Sequence, residues 1–273
     1  MFNRIKTFIL LGLMSALLLF IGSLFGERGL LVGLIIALAI NIVSYWHSDK
    51  IILKMYKAEE IRTGKIKDMV KEAALKANIP APKTYISEMN FPNAFATGRN
   101  PKNSVICVTD KLVDKLNNEE LKGVIAHEIS HIKNRDTLIS TVASVIAMTI
   151  TYMAFFLRWG AIFSSGKRAS KGLGYIIAAI FIPLTATIIR MAISRSREYL
   201  ADKGSYEITN NPEGLISALN KINESQKISA TKSQHVTSNM FIINPFQKEK
   251  MLSLFSTHPN TEERIKKLKE YKN

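Results

Sequence analysis

The stretch His127-Glu128-Ile129-Ser130-His131 decides how this sequence is interpreted, because its spacing suits a metal ion held by one helix. Residues four apart lie on one helical face, so both imidazoles can reach the same tetrahedral Zn²⁺. Glu128 lies one position round the helix, where its carboxylate can take a proton from the attacking water. The stretch therefore predicts a hydrolytic zinc site with His127 and His131 as ligands and Glu128 as the general base.

The residues before the histidine pair distinguish this interpretation from its plain alternative, in which both histidines lie on a solvated surface. The preceding run Gly123-Val124-Ile125-Ala126 predicts an apolar helix. Two histidines and a glutamate on a buried helix would cost free energy unless they had partners. A metal ion is such a partner.

A second pair of residues supplies the third ligand that a catalytic zinc site needs. Glu198 and Asp202 are again four apart, so one carboxylate can bind the metal while the other holds the second nitrogen of a ligand histidine. An ordinary amphipathic helix would show the same spacing. However, this pair begins about one turn after an apolar block, and the histidine pair ends about two turns before another. Both would therefore lie on the order of 10 Å from a bilayer edge.

Four apolar blocks are each close to the ~20 residues that cross a bilayer as a helix. They cover residues 7–26, 29–46, 138–157 and 173–193. The first two predict a transmembrane hairpin around the polar turn Gly26-Glu27-Arg28-Gly29, with Tyr45 and Trp46 as an interfacial anchor. A cleaved signal peptide is the alternative for the first block. No convincing cleavage site follows Phe20 and a second block comes at once, which favours a retained anchor.

The polar stretches between the blocks predict the remaining elements. Helices are expected over residues 55–78, directly after the turn at 210–212, and over 261–271, and short strands over residues 83–88, 94–98 and 104–109. Asn117 predicts a helix start with an acidic first turn. No helix breaker follows, so this helix is expected to run from Glu119 through the histidines into the third apolar block.

Charge and cysteine content narrow the class of partner. Lysine and arginine number 37 against 22 aspartates and glutamates, a net charge of +15, and they lie beside the apolar blocks. This arrangement suits a lipid bilayer with anionic headgroups, and no basic motif with interleaved aromatics predicts nucleic acid. The single cysteine, Cys107, lies in an apolar run and can form no internal disulfide. A reducing compartment and a buried, inert thiol are expected.

Three separated motifs resemble the HtpX family of membrane zinc metalloproteases, which are gluzincin relatives of the CAAX prenyl proteases. The motifs are HEISHIKNRD at 127–136, SRSREYLAD at 194–202 and FSTHP at 255–259. They occur in the family's order around the apolar blocks, together with the strand PNAFATG at 92–98, so the resemblance covers essentially the whole chain. It implies one Zn²⁺ per chain, and the family's ligands fall on His127, His131 and Glu198.

The resemblance also assigns roles around this metal. Glu128 falls on the general base and Asp202 on the partner of a ligand histidine, while Arg264 would brace the same corner. His258 would approach the metal or the developing oxyanion, although a His-Pro turn without a metal role is the alternative. The strand residues expected to bind substrate are Asn93, Ala94, Phe95 and Ala96. An edge strand can offer backbone hydrogen bonds to an extended peptide of almost any sequence.

The expected fold is an α-helical integral membrane protein with four hydrophobic helices and a zincin-like, mainly helical α+β protease domain carrying a small β-sheet. Its expected divisions are a transmembrane hairpin (1–46), the first part of a cytoplasmic protease domain (47–137), a second hydrophobic hairpin (138–193) and the second part of the protease domain (194–273). The resemblance implies hydrolysis of misfolded or damaged membrane and cytoplasmic proteins, as quality control linked to stress, at a bacterial-type cytoplasmic membrane. It predicts no oligomeric state.

Two rival functions are weaker. An intramembrane zinc protease of the site-2 type would bury its motif within a span, but residues 133–136 (KNRD) follow the motif directly and would be costly in hydrocarbon. A non-catalytic scaffold that keeps zinc for structure would not require Glu128.

The charge of one loop conflicts with a topology in which all four apolar blocks cross the membrane. The loop between the third and fourth blocks carries Arg158, Lys167, Arg168 and Lys171 without an acid, which argues against its placement outside the cell. Two alternatives stay open for these two blocks: they do not fully span the bilayer, or they pack as a hairpin against the other helices. An even number of crossings must still separate His127 from Glu198, and the basic N-terminus places their side in the cytoplasm.

Overall fold

The computed structural model describes residues 2–23, 26–163, 195–224 and 261–271. Its helices are α1 (Phe2–Ser23), α2 (Gly26–Trp46), α3 (Ser48–Met55), α4 (Lys65–Lys76), α5 (Asp110–Lys115), α6 (Asn118–Lys133), α7 (Thr137–Phe163), α8 (Arg195–Thr209), α9 (Pro212–Glu224) and α10 (Thr261–Glu270). Its strands are β1 (Glu59–Ile61), β2 (Lys83–Ser87), β3 (Ala94–Asn100) and β4 (Asn103–Thr109). The chain is therefore mainly helical with one small sheet.

Helices α1 and α2 form an antiparallel pair, and both are long and apolar enough to cross a membrane. Their backbones are in close contact, since a Cβ atom on Gly33 would lie 2.7 Å from the carbonyl oxygen of Leu18. Small residues permit this approach between membrane helices. Outward-facing side chains such as Phe8 (65% exposed) and Leu31 (59% exposed) present an apolar surface that suits lipid.

The predicted turn at residues 26–29 is wrong, because α2 already begins at Gly26. Glu27 lies in the first turn of α2. A carboxylate there is favoured by the positive end of the helix dipole, so these polar residues start the helix rather than separate two helices.

The expected four hydrophobic helices are not confirmed. Among the residues whose side chains the structure describes, α1 and α2 meet the length and composition of a membrane span, and Thr137–Ile150 of α7 is a shorter stretch of apolar helix. Helix α7 itself continues to Phe163. Side chains of α7, including Ile139 and Ile146, pack in one buried cluster with Leu10 and Met14 of α1. The fourth block, residues 173–193, lies outside the described residues.

The sheet has the order β1-β2-β4-β3, with β2 and β4 parallel and the other pairs antiparallel. The three predicted strands are confirmed as β2, β3 and β4. Side chains alternate between the faces of β4: Ile106 and Val108 pack in the cluster that contains α6, and Cys107 packs on the opposite side. Both faces of β4 are covered, which explains its continuous apolar run at residues 105–108. Strand β3 lies at an edge of the sheet.

The predicted helix over residues 55–78 is wrong in its first part. Helix α3 ends at Met55, Lys57 adopts a left-handed conformation with φ 48°, and β1 pairs with the edge of β2. Gly64, with φ 107°, then precedes α4. The edge of β2 satisfies the backbone of residues 59–61, so pairing between segments outweighs their local helical pattern.

Helix α6 runs through the protein core between the sheet and helices α4, α8 and α9. The predicted start at Asn117 is confirmed as a capping box: the Asn117 side chain accepts from the Glu120 amide at 3.0 Å, and Glu120 accepts from the Asn117 amide at 2.8 Å. Glu120 also accepts hydrogen bonds from Ser217 (2.6 Å) and Lys221 (2.9 Å) of α9. The start of α6 is thereby fixed against α9.

Candidate metal centre

Helices α6 and α8 bring three candidate metal ligands together. The Nε2 atoms of His127 and His131 are 3.2 Å apart. Glu198 of α8 places Oε1 3.6 Å from the His131 Nε2 and Oε2 3.8 Å from the His127 Nε2. His127 is fully buried and Glu198 is 6% exposed, so water does not replace these contacts. The spacing of four in each helix produces this convergence.

The spacing and chemistry of these donors fit a metal ion. Zinc bonds of 2.0–2.2 Å in a tetrahedral site separate two ligand atoms by about 3.3–3.6 Å. The separations here, 3.2 to 3.8 Å, lie around that range. Two imidazoles and one carboxylate are also the donor set found in catalytic zinc sites.

His127 is held by a buried chain of charges. Its Nδ1 lies 3.0 Å from Asp202 Oδ1, and Arg264 of α10 donates to both Asp202 oxygens, from Nη2 at 2.6 Å and from Nε at 2.9 Å. Asp202 and Arg264 are each 1% exposed. Although burial raises the pKa of Asp202, the Arg264 cation and the His127 hydrogen bond lower it overall. An ionised Asp202 keeps the proton of His127 on Nδ1 and leaves Nε2 free to bind.

Burial lowers the pKa of the His127 imidazole, and the nearby Arg264 cation lowers it further, against the opposing effect of Asp202. The neutral imidazole is the form that binds a metal. Arg264 Nη1 also lies 3.7 Å from Glu198 Oε2. The guanidinium therefore touches the acidic side of the centre, as well as holding Asp202.

His131 has a partner that the sequence did not predict. Its Nδ1 lies 3.2 Å from Asp136 Oδ2. Burial alone would lower the pKa of His131, but the hydrogen bond to Asp136 and the charges of Glu198 and Glu128 raise it to about 9. The negative charge around this imidazole is the kind of environment that attracts a cation.

The expected unbroken helix from Glu119 into the third apolar block is wrong. Helix α6 ends at Lys133 and α7 begins at Thr137, with Arg135 in the left-handed region at φ 58°. In a continuous helix, Asp136 would point about 140° away from His131. The only available sequence signal was the polar run 133–136, in which Asn134 suits a helix end.

Glu128 lies between the metal ligands and β3. Its side chain is 3% exposed and accepts a hydrogen bond from the backbone N–H of Ala96. Burial raises the pKa of the Glu128 carboxyl to about 7, with a further contribution from Glu198 and opposition from His131. A carboxyl group with this pKa can both accept and return a proton near neutral pH.

The predicted substrate strand borders this glutamate. Asn93 is anchored at the start of β3, because its N–H donates to Thr109 Oγ1 at 2.8 Å and its carbonyl accepts from the Thr109 amide at 2.9 Å. Backbone groups alternate in direction along a strand, so Ala94 shares the direction of the Ala96 N–H, away from β4. The side chains of Ala94 and Phe95 are fully buried, and Ala96 is 8% exposed.

The structure thus brings together the predicted site residues His127, Glu128, His131, Glu198, Asp202 and Arg264. Of the predicted strand residues, Ala96 reaches Glu128 through its backbone N–H, whereas the Phe95 side chain packs against Tyr56 in a separate cluster. His258 lies outside the described residues. Two residues were missed, Asp136 and Arg197. Arg197 is 9% exposed and precedes Glu198 in α8, where burial lowers its pKa against the charges of Asp136 and Glu198.

Known proteins are similar to this chain along nearly its whole length. The sequence profile of peptidase family M48 matches residues 60–272. Protease HtpX homologs from Desulfatibacillum aliphaticivorans and Campylobacter hominis are each 44% identical, covering 97% and 99% of this chain and 89% and 99% of the relatives. Protease HtpX of Legionella pneumophila is 43% identical over 98% of this chain and 99% of its own length.

Solved structures with a similar fold include that of Ste24p. The crystal structure of S. mikatae Ste24p matches 97% of this chain with a TM-score of 0.52 and 18% sequence identity, and the chain spans 65% of the length of that protein. The family profile covers most of the sequence, and relatives with more than 40% identity cover nearly all of it. The chain is therefore a metallopeptidase that belongs to peptidase family M48 and, within that family, to the HtpX proteases.

Proposed function

We propose that this protein is a zinc-dependent membrane endopeptidase in which His127, His131 and Glu198 hold one Zn²⁺ and Glu128 is the general base. The convergence of the three donors within 4.8 Å of one another carries this proposal. A bound zinc ion would supply a Lewis acid that polarises the scissile carbonyl group and lowers the pKa of water. The residues of the chain supply the proton transfers and the positioning.

Glu128 accepts a proton from the attacking water and returns it to the leaving amine. Its burial and its pKa of about 7 support both steps. Asp202 keeps His127 in the tautomer that presents Nε2, and Arg264 keeps Asp202 ionised. His258 is assigned to the metal or the developing oxyanion on the family resemblance alone.

The substrate lies along β3 as an extended strand. The edge position of β3 and its contact with Glu128 through Ala96 support this placement, because they put the scissile bond near the general base. A helix has already used its backbone amide groups, so an unfolded segment is required. The substrates are misfolded or damaged membrane and cytoplasmic proteins, and the cellular role is quality control of membrane proteins under stress.

The protease is placed at the cytoplasmic face of a bacterial-type inner membrane as a multi-pass protein. Support comes from the apolar hairpin of α1 and α2 and from the basic surplus in the polar stretches. Residues 1–46 and 138–193 form the two hydrophobic hairpins. Residues 47–137 and 194–273 form the two parts of the cytoplasmic protease domain, and its cleft lies roughly 10 Å above the bilayer edge.

Mapping the cut sites in a membrane substrate tests this proposal. The full-length protein is reconstituted in vesicles with a membrane protein that has unfolded cytoplasmic loops, and the products are identified by mass spectrometry. Cuts are expected in cytoplasmic loops or tails close to a span, with weak side-chain selectivity. The Glu128→Ala protein in identical vesicles is the control.

Two other outcomes would contradict the proposal in different ways. Cuts mainly within the transmembrane helices would support an intramembrane protease instead. Cuts only on the far side of the membrane would overturn the cytoplasmic placement while leaving the zinc chemistry intact.

A further inference from the structure

The two histidines of the centre have separate carboxylate partners. His127 Nδ1 faces Asp202, a residue of α8, whereas His131 Nδ1 faces Asp136 at 3.2 Å. Asp136 is 4% exposed and the His131 side chain is 16% exposed, so this contact is largely buried. We propose that Asp136 is a positioning residue that fixes the tautomer and ring orientation of His131. The inference rests on the proposed function, in which His131 is a metal ligand.

The backbone places Asp136 at this position. Arg135 donates its N–H to the Ile132 carbonyl at 3.1 Å, and Asp136 donates its own N–H to the His131 carbonyl at 3.0 Å. The chain therefore folds back on the last turn of α6. This turn requires a left-handed backbone conformation at Arg135, which costs a residue other than glycine about 1–2 kcal/mol. The Asp136 carboxylate is thereby brought to the second nitrogen of His131.

The next helix holds the same residue from the other side. The Asp136 carbonyl accepts a hydrogen bond from the Ser140 amide at 3.3 Å, in the first turn of α7. Thr137, the next residue, donates from Oγ1 to the Gly98 carbonyl of β3 at 2.9 Å. The junction between α6 and α7 is therefore fixed to the ligand helix and to the sheet, and Asp136 has little freedom to move away.

The surroundings of the two carboxylates differ. Arg264 binds both oxygens of Asp202 directly, at 2.6 and 2.9 Å. On the Asp136 side the buried cation is Arg197, whose guanidinium is close enough to feel the charges of Asp136 and Glu198. His131 is therefore oriented by a carboxylate close to it in sequence, Asp136, and His127 by one far away in sequence, Asp202. Each carboxylate has a different arginine nearby, Arg197 for Asp136 and Arg264 for Asp202.

Zinc competition with a chelator tests the role of Asp136. The full-length protein is purified in detergent, and affinity is compared for wild type, Asp136→Asn and Asp136→Ala. Asp136→Ala should weaken zinc binding roughly 10–100-fold, as is typical when the carboxylate behind a ligand histidine is lost. Asp136→Asn should lose less, because its amide oxygen can still accept from Nδ1. The control is Asp114→Ala in α5, which removes an aspartate that is 73% exposed.

A second measurement separates positioning from a merely structural role. Nitrogen NMR of histidine-labelled, metal-free protein, recorded at a pH above the His131 pKa of about 9 so that the imidazole is neutral, reports which ring nitrogen of His131 carries the proton. The wild type should show the proton on Nδ1, and the Asp136 variants should shift the population toward the other tautomer or toward exchange between the two. Asp136→Asn is close to isosteric, so it keeps the test available even if Asp136→Ala does not fold.

The outcomes distinguish this inference from the proposed function. Folded variants with wild-type zinc affinity and an unchanged His131 tautomer would overturn the role of Asp136. A wild-type protein that binds no zinc would instead refute the proposed function, and the tautomer measurement on the metal-free protein would still test Asp136.

Discussion

The metal centre and the N-terminal hairpin are both closely packed, but by different means. In the centre, buried charges face one another: Arg264 binds Asp202, and Asp202 faces His127. In the hairpin, polar groups are few and the helices touch through glycines such as Gly33. The centre therefore depends on complete charge pairing, whereas the hairpin depends on side-chain volume. One substitution in each region should therefore have a different consequence.

Replacing Arg264 with methionine should have the larger effect on stability. The change removes a buried cation and leaves Asp202 with an uncompensated charge. Breaking a buried ion pair in this way costs about 3–5 kcal/mol, which thermal or denaturant unfolding in detergent would measure as a loss in the free energy of unfolding. Arg264→Lys should recover only part of the loss, because an ammonium cannot bind both carboxylate oxygens as a planar fork does.

The matched control for Arg264 is Lys266→Met, which removes an exposed cation from the same helix. It should change the free energy of unfolding by less than about 1 kcal/mol. Equal effects of the two substitutions would show that the buried ion pair contributes little, and the contrast between centre and hairpin would fail.

Replacing Gly33 with alanine should have the smaller effect, and it should act through volume. The new Cβ would lie 2.7 Å from the Leu18 carbonyl and 3.4 Å from the Cα of Gly22, so α1 and α2 must move apart. Overpacking of this kind costs about 1–3 kcal/mol, which thermal unfolding in detergent would report. Zinc affinity should stay at the wild-type value, since no charge has changed.

Gly12→Ala is the control for the hairpin, because a Cβ at Gly12 meets no atom within 4 Å. It should leave the stability of the pair unchanged or slightly higher, since alanine favours a helix. If Gly12→Ala and Gly33→Ala destabilise equally, close contact between α1 and α2 is not what limits the hairpin.

The sequence predicted well those features that depend on residue spacing within a single helix or strand. The spacing of four placed His127 with His131 and Glu198 with Asp202, and the short strands predicted at 83–88, 94–98 and 104–109 became β2, β3 and β4. Each pattern lies within one element, so its geometry follows from the local backbone. Arg264 was expected at this corner only through the family resemblance, since its contact joins helices far apart in sequence.

The elements that depend on contacts between segments were missed. β1 has a sequence that suits a helix, and only the edge of β2 makes it a strand. The break between α6 and α7 depends on Arg135 in a left-handed conformation, for which arginine gives no signal. Asp136 was therefore assigned to a continuous helix, on the wrong side of His131.

Hydrolysis by the Glu128→Ala protein shows whether the zinc site works with Glu128 as its general base. The measurement is the rate of cleavage of a denatured protein by the detergent-purified enzyme, compared with wild type at equal zinc content. The ligands are untouched, so the variant should keep one zinc per chain while the rate falls by at least ~10²-fold. Near-normal cleavage by a zinc-loaded variant would show that Glu128 is not the general base.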